Sequence, residues 1–213
     1  MTQSRRKHLR QAPDHRKQAL IGATLSLLAE GGPEAATVRT IAQKAGATQG
    51  LIRHYFSTKD DLVAAAYAQH MTRMTDATTV VLEGSFDSHS ARLVAFVTAA
   101  LTPPVVDPRN IGLWAGFLHM LQSNPRMQVV HVKTYRAFRD RLEDLIIAAL
   151  RAADLPHGPQ QSRRFAIACN GLIDGLWLEG GALPDGFGEN ELPEIGLQSV
   201  GAIIGLNLYK TGA

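Results

Sequence analysis

Residues 37–62, TVRTIAQKAGATQGLIRHYFSTKDDL, set the tightest limit on what this chain can fold into. Two short amphipathic runs flank Gly46, and each opens on a threonine. Thr37 suits the N-cap of a helix carrying Val38, Ile41 and Ala42, and Thr48 that of a helix holding Leu51, Ile52 and Tyr55. Gly46 ends the first run, because only glycine enters the left-handed conformation cheaply. Two short helices joined at an angle, with a third packed on them, make a helix-turn-helix. Ala42 is small where they cross, and Val38, Ile41, Leu51 and Ile52 close the miniature core.

Helical periodicity covers nearly all of the remaining chain, with no convincing strand, so the expected fold is all-α with about nine helices. The first helix is expected from Asp14 to Gly31-Gly32, and a near capping box of Ser57 with Asp60 opens the fourth. Further helices are expected near 91–101, 111–122, 126–153, 161–182 and 193–209, separated by Gly- and Pro-rich turns. The expected division is a basic arm and helix-turn-helix over 1–60, and a helical ligand-binding and dimerisation domain over 61–213.

A helix held on such a corner projects its first turn outward: Thr48, Gln49 and Gly50, then Arg53 and His54 one turn on. Gln can pair with adenine, Arg favours guanine, and Thr meets a base or a thymine methyl, all in a major groove. Tyr55, Lys59 and the amides opening helices two and four suit phosphates, which position a protein without reading sequence. Thr37, Arg39 and Leu51 complete the candidate DNA-contacting set.

Charge points the same way. Residues 1–60 hold 10 Lys and Arg against 4 Asp and Glu, a net +6, whereas the rest hold 12 against 15. A basic front and a slightly acidic body suggest a nucleic-acid-facing end and a body with another task. The basic arm Ser4-Arg5-Arg6-Lys7-His8-Leu9-Arg10 either follows phosphates or a minor groove, or merely solubilises the chain.

Other classes are disfavoured. There is no apolar run of membrane-spanning length and no apolar core behind the basic start, so neither a membrane span nor a secretory signal is expected. The single cysteine, Cys169, allows no intrachain disulfide, and a cytoplasmic protein is expected. No phosphate loop, HExxH or metal-ligand spacing is present, His119 and His131 included. Catalytic residues, metal and cofactor are therefore expected to be none.

The second domain offers aromatic residues near a few polar ones. Trp114 and Phe117 share a face of helix six, and Tyr135 and Phe138 follow near-heptad spacing on helix seven. In helix eight, ACNGLIDGLWLEGGAL, Cys169, Leu172, Ile173 and Leu176 form an apolar stripe. Gly171 and Gly175 thin the helix for close approach of another backbone. Asn170, Asp174 and Trp177 share one face. Two readings stand. Asp174 or Glu179 faces a cationic ligand while Trp177 offers a cation–π surface, or Asp174 bonds a neighbouring helix or the dimer seam and Trp177 packs.

Residues 37–62 resemble the DNA-binding domain of the TetR family of bacterial transcriptional regulators. The matching positions are Thr37, Ile41, Ala42, Ala45, Gly46, Gly50, Leu51, Ile52, Tyr55, Phe56, Lys59 and Leu62. Ala47 departs mildly, where a larger aliphatic residue is commoner. The segments LWAGFLHMLQSNPRMQVVHVKTYRAFRDRLEDLI and NGLIDGLWLEGGAL look like the regulatory domain of BetI-type repressors within that family. The resemblance implies a homodimer, paired through the helices near 161–182 and 193–209, on a palindromic double-stranded operator. Its recognition helices would sit about 34–36 Å apart. It also implies release by a small-molecule effector: a choline-like quaternary ammonium, or alternatively an apolar or neutral metabolite or drug. A protein-interaction module without DNA binding is the remaining alternative.

Overall fold

Apolar residues recurring at three- and four-residue spacing become helices throughout. The computed structural model describes residues 2–122 and 124–209, with side chains from Asp14 onward. Among these residues there are nine α-helices and no strand. They are α1 (Thr2–Ala35), α2 (Val38–Lys44), α3 (Gln49–Tyr55), α4 (Lys59–Thr79), α5 (His89–Ala100), α6 (Pro108–Leu121), α7 (Pro125–Ala152), α8 (Pro159–Ala182) and α9 (Glu191–Ile204), with a 3₁₀ turn over Val80–Glu83. The chain forms two compact units, Met1–His70 with Gly112–His131 and Met71–Ile111 with Val132–Ala213.

In the first unit the buried residues are those that the periodicity marks. Leu20, Ile21 and Leu28 of α1, Ile41 and Ala42 of α2, Ile52 of α3, and Leu62, Val63 and Tyr67 of α4 are all buried. Val38 and Leu51 are only partly so. Thr37 and Thr40 cap α2 reciprocally, and the Thr40 hydroxyl also lies 2.6 Å from the Ala35 carbonyl oxygen. Gly46 turns the chain at φ +60°. The Lys44 ammonium donates to Glu30 at 2.7 Å, tying α2 to α1. Both side chains are well exposed, so this pair contributes roughly 0–1 kcal/mol.

In the second unit one apolar cluster joins four helices. Leu93, Phe96, Val97 and Ala100 of α5 meet Leu142, Leu145, Ile146, Ala149 and Leu150 of α7 in it. Ala166, Cys169 and Ile173 of α8 join them, with Val200 and Ile204 of α9. Burial pushes the Cys169 thiol up to about 12.

Several local expectations shift. Helix α1 reaches back to Thr2 rather than starting at Asp14, since the residues before Pro13 are mostly good helix formers. The side chains of the basic arm, Ser4 to Arg10, lie outside the described residues. The helix breaks where expected, at Gly31-Gly32, with φ +68° at Gly32. The cap of α4 is one residue later than Ser57 and Asp60. The Thr58 amide donates to Asp61 at 3.0 Å, and the Asp61 amide to the Thr58 hydroxyl at 3.1 Å. Phe56 causes the shift: it is buried as the C-cap of α3, leaving Ser57 as a linker. Helix α9 stops at Ile204, not Tyr209, because Gly205 adopts φ +77°. Among the described residues, a Cβ at Gly171 or Gly175 would meet nothing within 4 Å. The close approaches on α8 occur at Gly180, against Leu192 and Val106, and at Gly181, against Ile111.

A Cβ at Gly201 would meet the Leu206 carbonyl oxygen at 2.5 Å, and backbone cannot swing aside as a side chain can. Gly201→Ala is expected to destabilise the protein by about 1–3 kcal/mol, as overpacking does. Urea unfolding of the variant beside the parent measures it.

Candidate nucleic-acid interface and effector site

The exposed surface of α3 is prepared by its buried one. Thr48 is the N-cap, its hydroxyl accepting from the Leu51 amide at 3.2 Å. Ile52 is 2% exposed and anchors the helix. Thr48, Gln49, Gly50, Arg53 and His54 are exposed, while Leu51 and Tyr55 are partly buried. The Tyr55 ring meets His54 edge-on at 5.0 Å. Lys59 is exposed at the first position of α4, and Thr37 and Arg39 are exposed at the start of α2. Beneath them, Lys17 of α1 lies 5.7 Å from the Phe56 ring centre. The Asp61 carboxylate, besides capping α4, pairs with Arg126. All ten residues singled out in the sequence thus lie on or beside two capped helix starts and α3. Their exposed side chains include Gln49, two arginines and a lysine, the donors that nucleic-acid recognition uses.

The aromatic and polar residues of the second candidate site are distributed over both compact units. Trp114 and Phe117 fall in the first unit and the other five in the second. Phe117 is buried, its ring 4.6 Å from that of Tyr67, so it is taken up in packing. Phe138 packs 5.0 Å from Phe96 at the edge of the second core. Trp114 is partly buried on α6.

Tyr135, Asn170 and Asp174 do come together. The Tyr135 hydroxyl donates to Asp174 Oδ2, joining α7 to α8. Asn170 Nδ2 donates to Tyr135 Oη and to Asp174 Oδ2, each at 2.8 Å. One turn on, Trp177 Nε1 donates to the Val105 carbonyl at 2.9 Å. Asp174 and Trp177 are partly buried, while Glu179 is exposed. The inter-helix bond expected as one reading of Asp174 is therefore present, as is a packed Trp177. Burial, then the hydrogen bond to Asp174 and its negative charge, push the Tyr135 phenol up to about 12.

One polar pair escaped the sequence reading. Tyr67 on α4 is buried, with Oη 2.5 Å from His131 Nδ1 on α7. A buried tyrosine needs a partner for its hydroxyl, but nothing in the spacing of Tyr67 and His131 says they meet. Among the described residues no three His, Cys, Asp or Glu side chains gather as a metal site would require. None of the described helices is long and apolar enough to cross a membrane.

A capped recognition-type helix on a three-helix unit, followed by a larger helical body, defines the class of helix-turn-helix transcriptional regulators. Comparison with known families narrows this. Residues 20–66 match the model of bacterial regulatory proteins of the tetR family, and residues 89–205 that of the BetI-type transcriptional repressor C-terminal domain. The chain belongs to the TetR family and carries a BetI-type C-terminal domain. It is 31% identical over 166 residues to the HTH-type transcriptional regulator BetI of Burkholderia thailandensis, covering 78% of this chain and 81% of that one. The BetI regulator of Stenotrophomonas maltophilia is also 31% identical, over 165 residues. A solved transcriptional regulator from Pseudomonas aeruginosa PAO1 superposes with a TM-score of 0.83 at 29% identity, covering 93% of this chain and 95% of that one. The protein is a transcriptional regulator of the TetR/BetI type and not an enzyme.

Two buried groups, Tyr67 and Cys169, and the partly buried Tyr135 hold their protons tightly, each pushed up to about 12. In the unfolded chain the thiol ionises near 9 and the phenols near 10. Raised folded values mean that their stabilisation is complete below about pH 9 and lost as pH rises toward 12. Chemical unfolding from pH 8 to 12 should show stability falling over that window. Tyr67→Phe and Tyr135→Phe should each flatten the fall.

Proposed function

We propose that the protein is a dimeric repressor that binds a two-fold symmetric operator and is released by a small cationic effector. The observation that carries the DNA reading is α3. Its first turn is capped from below by Thr48, so Gln49, Gly50 and Arg53 stand exposed on a helix that their neighbours hold fixed. Gln49 and Arg53 read base edges. Tyr55, Lys59, Thr37 and Arg39 hold phosphates and set register, with Leu51 and His54 flanking them. The two-fold site requires a dimer. The outer face of α8 supports pairing there: Ile167 and Leu178 are each 44% exposed, and Gly171 and Gly175 lie between them with open space above. Together with α9, this face would build the seam between two copies.

The effector reading rests on the Asp174 carboxylate beside Tyr135 and one turn from Trp177, a setting that suits a choline-like cation. A second reading has its own support. Asp174 Oδ2 already accepts two hydrogen bonds, as an anchor between helices does, and then the effector is apolar or neutral.

Selection of DNA from a random library tests the first claim, with a palindrome of half-sites one helical turn apart expected. Gln49→Ala should relax base preference at one position, costing about 1–3 kcal/mol on the preferred site. Lys59→Ala should weaken all sequences alike and lower the salt slope by about 1. Equal loss on every sequence in Gln49→Ala would remove α3 as the reader. Ile167→Glu with Leu178→Glu should yield monomers in sedimentation and a large loss of operator affinity. For the effector, thermal shifts with small cations and their neutral isosteres decide between the two readings. Stabilisation by the cations alone, lost in Asp174→Asn, supports the cationic one.

A further inference from the structure

Three described side-chain atoms are buried without a hydrogen-bond partner: Gln69 Oε1, Arg92 Nε and Asn170 Oδ1. Only Asn170 belongs to a residue that is buried as a whole, at 3% exposure. Its surroundings define what the atom can bind. Nδ2 is committed to Tyr135 Oη and Asp174 Oδ2. That fixes the amide's orientation, since the flipped amide would set Oδ1 against a carboxylate oxygen, acceptor facing acceptor. Oδ1 is therefore an acceptor with one chemical need, a donor hydrogen.

Two donors on or beside this face are committed elsewhere. The Tyr135 hydroxyl proton goes to Asp174, and the Trp177 indole N–H to the Val105 carbonyl. Asn170 also lies between Cys169 and Ile173, both buried in the apolar cluster, so no other polar group comes from its own stripe. A buried polar atom left unpaired is costly, and native proteins rarely retain one without a use. A donor from outside the chain meets that need, either an ordered water or an effector group that displaces it.

We infer that Asn170 is a specificity-determining residue for the effector, its Oδ1 accepting a hydrogen bond from a donor group that the cationic effector carries. This rests on the cationic reading of the site beside Asp174 and sharpens it. Charge is not sufficient, and the effector brings an N–H or O–H. A protonated amine supplies the first, and a hydroxyalkyl quaternary ammonium the second. A fully alkylated cation supplies neither. Sites built around a buried hydrogen-bonding group discriminate strongly against an analogue that lacks the matching partner.

The test uses the full-length protein and four cations in two matched pairs, with binding followed by calorimetry. Propylammonium is compared with trimethylpropylammonium, and choline with its O-methyl ether. The expected result is at least tenfold tighter binding of the donor-bearing member in one pair or both. The pair that shows the gap identifies the donor as N–H or O–H. In Asn170→Ala the gap should shrink to within about threefold, with Asn170→Ser as a second variant if the first folds poorly. Equal binding within both pairs by the parent protein overturns the inference and leaves the cationic reading intact. A gap that survives in Asn170→Ala and Asn170→Ser overturns it too. No saturable binding by any of the four overturns both readings together.

Discussion

Seven residues are too few to hold a helix in water, since isolated helices below about 12–15 residues are marginal even in favourable sequences. Helices α2 and α3 are each that short. Their persistence depends on one constraint, the burial of Ile41, Ala42, Ile52 and Phe56, with α2 packed on both α1 and α3. Everything that α3 can present outward is positioned by that small core. The caps at Thr37 and Thr48 then settle where each helix begins, and Gly46 settles the angle of the chain between them. The division of labour along α3 is strict, with one buried side chain, Ile52, holding three exposed ones, Gln49, Arg53 and His54.

That arrangement was legible in the sequence because all of its parts are local. A threonine cap, a glycine at positive φ and an i, i+3, i+4 apolar stripe are each written within a few residues. The helix count and the break at Gly31-Gly32 follow from the same short-range signals. The misplacements share a cause. The cap of α4 moved from Ser57 to Thr58 because Phe56 is held by the core, and no local spacing reports that. Within the chain, close neighbours reach α8 at Gly180 and Gly181, because Leu192 and Ile111 arrive from elsewhere in the sequence, which no local spacing reports either.

The candidate effector site was legible only as a list of residue types. Spacing puts Asn170, Asp174 and Trp177 on one helical face, where Asn170 and Asp174 are hydrogen-bonded, and Tyr135 is among the residues named from the sequence. That Tyr135 reaches across to Asp174, while Phe117 and Phe138 are absorbed into packing, depends on how α7 lies against α8 and where each core closes. Sequence alone also left Asp174 between two roles. The geometry gives it an inter-helix bond, so the recognition role proposed above would fall to a carboxylate that already joins two helices.

The same strip of α8 that carries Asn170 also carries the only sulfhydryl in the chain, Cys169, fully buried and held protonated by its surroundings. A thiolate is the reactive form, so in the closed protein this group is shielded twice, by packing and by its proton. Reagent can reach it only when the inner face of α8 parts from α5, α7 and α9. The chain thus contains its own stopwatch for core opening. The rate at which a maleimide captures this one sulfur counts such events, at a position adjacent to the residue that the effector is inferred to touch.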